Sequence, residues 1–96
     1  MNFDIDPSKI SIIESEQFFK SLFELDDFQE LTNEEYLKRI SFFVDLSFYQ
    51  KRTDGLEKSR ALIEDFLKRD LTSYERSLSH YYFANALVSR QLSSVG

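Results

Sequence analysis

The chain carries proline only at position 7 and glycine only at positions 55 and 96, so nearly its whole length lacks the residues that open tight turns. A chain of short strands joined by hairpins needs such punctuation repeatedly, whereas helices need it only at their ends. Ten Phe and five Tyr, with hydrophobic residues at 42%, supply enough apolar mass for a packed interior and set the sequence apart from a disordered tail. The expectation is an all-α fold in which residues 1–96 form one domain of about four helices around a shared core.

Capping chemistry places the helices. Thr32-Asn33-Glu34-Glu35 and Thr72-Ser73-Tyr74-Glu75 fit the T-x-x-E capping box, in which hydroxyl and carboxylate satisfy free backbone donors of the first turn. They predict helices over 33–52 and 73–92. Thr53-Asp54-Gly55-Leu56 reads as a turn, with Asp54 as N-cap of a helix over 55–69. The first helix has two available starts, Asp6-Pro7 and Ser11-Ile12-Ile13-Glu14. Its body is placed at 10–25, where Phe18, Leu22 and Leu25 share a stripe, and 26–31 is a loop. Leu37, Ile40, Val44 and Phe48 form one stripe of helix 33–52, and Phe42, Leu46 and Tyr49 another, which puts this helix at the centre. Helix 55–69 is amphipathic and lies outside. The last helix again has two apolar faces, one of which needs cover from the first helix, a further domain or a second copy; the last of these would make a homo-oligomer through that helix.

Composition excludes several chemistries. Without cysteine there are no disulfides, thiolate metal sites or Cys nucleophiles. One histidine and no helical Glu-x-x-His pattern argue against a transition-metal site, and the adjacent pairs Asp26-Asp27 and Glu64-Asp65 cannot place both carboxylates on one helix face. Glycines at 55 and 96 cannot build a phosphate loop, so no cofactor is expected. No apolar run approaches the ~20 residues of a membrane span, and Met1-Asn2-Phe3-Asp4 is acidic where a secretory signal is basic, so the reading is cytoplasmic. The net charge of −5 is uneven: residues 1–35 hold ten acids against Lys9 and Lys20, a balance of −8, and the remainder balances at +3. Such a front half repels phosphate backbones, and direct nucleic-acid binding is not expected. The basic doublets Lys38-Arg39, Lys51-Arg52 and Lys68-Arg69 fall on or near helix ends, where the last two would face the macrodipole.

Two segments resemble tetratricopeptide (TPR) repeats. His80-Tyr81-Tyr82-Phe83-Ala84-Asn85-Ala86-Leu87 is similar to the first helix of a repeat, with a large aromatic, a small residue and an Asn-Ala pair. Gly55 to Leu67 is similar to the second helix of a preceding repeat, with Leu56, Ser59 and Ile63 at its large, small and large positions. About half the chain is covered. His80 stands in place of the usual tryptophan, Phe66 where a small residue is common, and the loop from Lys68 to Ser73 runs long without proline. Leu78 to Leu87 also looks like the N-terminal helical region of bacterial TPR proteins with a C-terminal HEPN domain, which would make this chain the front of a larger protein. HEPN nucleases use an Arg and a His with four to six residues between them; Arg76-Ser77-Leu78-Ser79-His80 falls one residue short, and no enzyme is expected.

The resemblance implies antiparallel helical hairpins and a non-enzymatic protein–protein interaction module whose groove takes a protein or peptide. Arg76, His80, Tyr82, Asn85 and Ser89 are the groove-facing candidates, Asn85 standing where TPR-like proteins contact ligand. The alternative is a stand-alone acidic inhibitor of the phage type, whose first 35 residues block a basic nucleic-acid-binding protein.

Overall fold

The computed structural model describes the backbone of residues 2–24 and 27–95, and within 89–95 the backbone alone; Leu25 and the side chains of Ser89 and Leu92 lie outside that description. Among the described residues four α-helices form the fold: α1 (Ile12–Glu24), α2 (Asn33–Tyr49), α3 (Thr53–Phe66) and α4 (Ser73–Val95). Short 3-10 turns at Pro7–Lys9 and Phe28–Glu30 precede α1 and α2, and no strand occurs among the described residues.

Both candidate starts of the first helix are used, by different elements. The Asp6 carboxylate accepts from the Ser8 amide at 3.0 Å and opens the first 3-10 turn. Ser11 then starts α1: its hydroxyl accepts from the Glu14 amide at 3.2 Å and donates to the Glu14 carboxylate at 3.0 Å. At α4 the capping box is reciprocal, with the Thr72 amide on Glu75 Oε1 (2.9 Å) and the Glu75 amide on Thr72 Oγ1 (3.1 Å). At α2 the Glu35 amide likewise donates to Thr32 Oγ1 (3.2 Å), but the Glu35 carboxylate takes the Thr32 hydroxyl.

Helix ends depart from the sequence reading for local reasons. α2 stops at Tyr49, short of 52, because Lys51 adopts a left-handed φ of 56° and the Arg52 amide turns back to the Ser47 carbonyl at 2.8 Å. α3 starts at Thr53, earlier than 55. Asp54 is therefore a first-turn residue and not the cap; its carboxylate accepts from the Gly55 amide at 2.8 Å and from two Arg52 nitrogens at 2.9 Å each. Gly55 is not a turn glycine either. It is buried inside α3, where a Cβ would lie 2.3 Å from Ser47 Oγ and 2.8 Å from Phe19 Cε1, so hydrogen at this position lets three helices meet. α3 ends at Phe66 instead of 69, and α4 runs on past 92 to Val95.

α2 and α3, joined by residues 50–52, form an antiparallel hairpin at the centre; the two apolar stripes of α2 lead one to expect this of α2, whereas α3, expected outside, packs against α1, α2 and α4 through a buried face that includes Gly55, Ser59 and Ile63. α4 packs on both. α1 approaches from elsewhere: Phe18 meets Phe42 of α2 with ring centroids 5.0 Å apart, while Asn33, half a turn from Phe42 around α2, bonds to Glu75 of α4. Phe19, Leu22, Tyr36, Ile40, Phe43, Leu46, Ile63 and Phe66 are fully buried, whereas Phe48 and Tyr49 at the end of α2 are exposed. The buried Tyr36 hydroxyl donates to the Leu62 carbonyl at 2.9 Å, and burial, reinforced by Asp65 and opposed by Arg69, pushes its pKa up to about 12.

Arg69 closes the assembly. Beyond the end of α3, its guanidinium donates to the carbonyls of Leu31 (2.8 Å), Phe28 (3.1 Å) and Gln29 (3.1 Å) and to Asn33 Oδ1 (3.1 Å), while lying 4.7 Å from the Tyr36 ring centre. One cation thus fixes the loop before α2 to the loop after α3. Arg69→Ala should cost about 2–3 kcal/mol in urea unfolding. Arg69→Lys should recover less than half of that, since a point ammonium cannot span four acceptors. Gly55→Ala, despite the better helix propensity of alanine, should destabilise by about 1–3 kcal/mol through overpacking against Ser47 and Phe19, read as a lowered urea midpoint at unchanged slope.

Candidate functional site

α2 and α4 run side by side in the same direction, since Asn33 bonds to Glu75 near both starts and Asp45 faces the same recess as Tyr82 further along. Two recesses follow each other in the cleft between them. The first, about 420 Å³, lies between Glu34 and Leu37 of α2 and Tyr74, Glu75 and Leu78 of α4. The second, about 490 Å³, is floored by Lys38, Ser41, Phe42 and Asp45 of α2, with Tyr82 of α4 as one wall. Its other wall is the segment from Phe3 to Pro7.

That segment is held from both sides. The Phe3 ring packs edge-on against Phe18, Phe42 and Phe43, with centroids 5.2 to 5.8 Å apart, and Arg39 lies over it at 4.8 Å. Asp4 forms an ion pair with Lys38. Gln50 of the α2 cap donates to the Ile10 carbonyl at 3.0 Å, tying down the end of the stretch. The aromatic contacts are buried and the ion pair is exposed, so Phe3 is the main anchor.

The second recess combines apolar walls with the carboxylates of Asp6 and Asp45, neither of which forms an ion pair among the described residues. Lys38 is used by Asp4. Asp6 accepts from the Ser8 hydroxyl and amide, and those bonds, helped by the Lys9 charge, hold its carboxyl below the usual range. Asp45 is exposed as a residue, yet the recess desolvates its carboxyl and the nearby Asp6 charge repels it, so its pKa is raised. A site that raises a carboxyl through a like-charged neighbour would be relieved by a cation entering it. In the first recess Glu75 is held below its usual pKa, chiefly by the Thr72 amide and also by the Thr72 hydroxyl and Asn33.

Of the residues singled out from sequence, Tyr82 lines the second recess, and Asn85, one turn further along α4, is half-buried. Arg76 and His80 are exposed and line neither recess. The Ser89 side chain lies outside the described residues. Sequence reasoning missed Asp6, Ser41 and Asp45. Asp45 had a signal, being the single charge within Ile40 to Tyr49, whereas Asp6 was read only as a helix start.

The basic doublets also resolve into specific tasks. Arg39 pairs with Asp27 (3.2 Å); Arg52 pairs with Asp54 and with Glu16 of α1 (3.1 Å) and lies 4.2 Å from the centre of the Phe19 ring. Several acids of the front third are thereby matched internally. Among the described residues no cluster of His, Cys, Asp and Glu could hold a metal ion, and no helix is long and apolar enough to cross a membrane. No protein family, curated protein or solved structure matches this chain.

The raised Asp45 pKa has a determinate sign. Because the folded value lies above the ordinary 3.8, the folded state favours the protonated form, and stability is lost as pH rises from below 3.8 through the folded value. Asp45→Asn should therefore be more stable than wild type at neutral pH and should match it in strong acid, measured by urea unfolding across that range. Asp6→Asn should bring the Asp45 carboxyl back down, as followed by NMR titration.

Proposed function

We propose that this chain is a non-enzymatic protein-binding module of the TPR-like kind, acting in the cytoplasm, and that the cleft between α2 and α4 is its binding groove. In this reading α2 and α4 are the first helices of successive hairpins, α3 is the second helix between them, and Tyr82 and Asn85 stand on the groove side of α4. The single observation that carries it is the second recess, where Phe42, Tyr82 and Ile5 supply apolar and aromatic surface beside the carboxylates of Asp6 and Asp45, which form no ion pair among the described residues. That chemistry suits a peptide segment presenting a Lys or Arg next to an aliphatic side chain.

The acidic-inhibitor alternative draws less support from the same geometry. Asp4, Glu16 and Asp27 are engaged by Lys38, Arg52 and Arg39, which breaks up the unpaired array that a nucleic-acid mimic presents.

Selection from a random-peptide library on the immobilised protein tests the groove. The enriched peptides should carry a basic residue flanked by aliphatic ones, and Asp45→Lys should weaken their binding by about tenfold or more, the scale of one lost charge-assisted contact. Added salt should weaken binding only moderately, because apolar contacts share the load. Peptides that bind Asp45→Lys and Tyr82→Ala as well as they bind wild type would rule out this cleft.

A further inference from the structure

The segment ahead of the first 3-10 turn rests on α2 by its side chains. Among the described residues the backbone of 3–5 makes no hydrogen bond to any helix, and the Asp4 amide turns to the Asn2 side chain at 2.9 Å. Footing of another kind begins at Pro7–Lys9, where the turn packs on α2, Ile10 is buried and Gln50 holds the Ile10 carbonyl. Ahead of that point Ile5 leaves its apolar side chain exposed, and Asp6 adds a second negative charge to the recess that already desolvates the Asp45 carboxyl. Open space borders the segment twice: the recess of about 490 Å³ beside Asp45 and Tyr82, and another of about 220 Å³ beside Glu35 and Arg39. Phe3, Asp4 and Lys38 line both. A stretch with so few backbone bonds belongs to the part of a protein that opens first.

What lies beneath it is fixed by contacts of its own. Phe18, Phe42 and Phe43, which receive the Phe3 ring, are buried and pack on one another, Phe18 on Phe42 at 5.0 Å and Phe42 on Phe43 at 5.4 Å between centroids. Arg39 lies over the Phe3 ring and is itself paired with Asp27, and Lys38 beside it takes the Asp4 carboxylate. The seat is thus held by α1 and α2, while its occupant is held only by the seat.

We propose that this seat is a ligand site filled in cis: a segment of a partner protein carrying an aromatic residue followed by an acid displaces residues 2–6 and takes the places of Phe3 and Asp4. Exchanging ring for ring leaves the aromatic cluster intact, and the incoming acid answers the Lys38 charge that Asp4 gives up. A tethered segment faces its seat at an effective concentration on the order of millimolar, so the partner needs contacts beyond the seat to win. Ser41 and Asp45 of α2, with Tyr82 alongside, lie next to the departing segment and offer them. This ligand is opposite in charge to the basic peptide assigned to the cleft and binds other residues, so neither assignment depends on the other.

A peptide copying residues 2–6, Asn-Phe-Asp-Ile-Asp, is the probe, followed by NMR shifts of the protein. Phe3→Ala empties the seat, and it should bind the peptide about tenfold or more tightly than wild type does, because the competing segment has lost its anchor. The shifts should centre on Phe18, Phe42, Phe43 and Lys38. A peptide with alanine in place of its phenylalanine should not bind, and one with lysine in place of its first aspartate should bind several-fold more weakly. Asp4→Lys opposes Lys38 and leaves the core rings untouched; it provides a second opened variant should Phe3→Ala unfold, and it too should bind the peptide more tightly than wild type. A folded opened variant that ignores the peptide, equal binding by wild type and variant, shifts centred elsewhere, or a ring-less or lysine-bearing peptide that binds as well as the parent would each overturn the proposal. So would the unfolding of both variants, since the segment would then be part of what holds the core.

Discussion

A guanidinium laid across an aromatic ring, with its hydrogens spent on backbone or carboxylate oxygens, is the interaction on which this structure most depends. Arg69 is the fullest case, joining Phe28, Gln29, Leu31 and Asn33 while covering Tyr36. Arg52 does the same between α1 and the start of α3, over Phe19, and Arg39 spans Asp27, Phe3 and Phe28. Each arginine works where the chain changes direction. In a small protein without disulfides, the core orders the helices, and these planar cations fix the connections between them.

Their position also explains where the charge goes. The asymmetry between an acidic front third and a basic remainder looks, in one dimension, like a surface prepared for a partner. Folded, part of it is complementary within the molecule, because Glu16, Asp27 and Asp4 meet Arg52, Arg39 and Lys38 from later in the sequence. Asp45 and Asp6 are two carboxylates that face a common recess. Their mutual repulsion is tolerated by the fold and marks the cleft as chemically distinct from its surroundings.

The sequence was most readable where the chemistry is local. Capping boxes at Thr32 and Thr72 start helices because their partners lie three residues away, and the same holds for Ser11 and Glu14. Gly55 was read as a turn because an Asp-Gly pair ordinarily is one, and its real constraint comes from Ser47 and Phe19, which no local pattern reveals. Lys51 was equally opaque, since a lysine gives no hint of left-handed backbone. For the cleft, Tyr82 was accessible from the resemblance alone. The opposite wall was not, since it comes from residues 3–7, brought alongside α2 by a phenylalanine that finds its partners only in the folded molecule.

That wall has a consequence for selectivity. Phe3 belongs at once to the rim of the recess and to the aromatic cluster beneath it, so spreading the mouth and prising open the interior are a single motion. A guest too broad for the opening must disrupt three ring contacts before it gains any of its own, while a slender one enters without disturbing them. On the proposed binding role, size discrimination would therefore rest on the side chain that anchors residues 3–7 against α2.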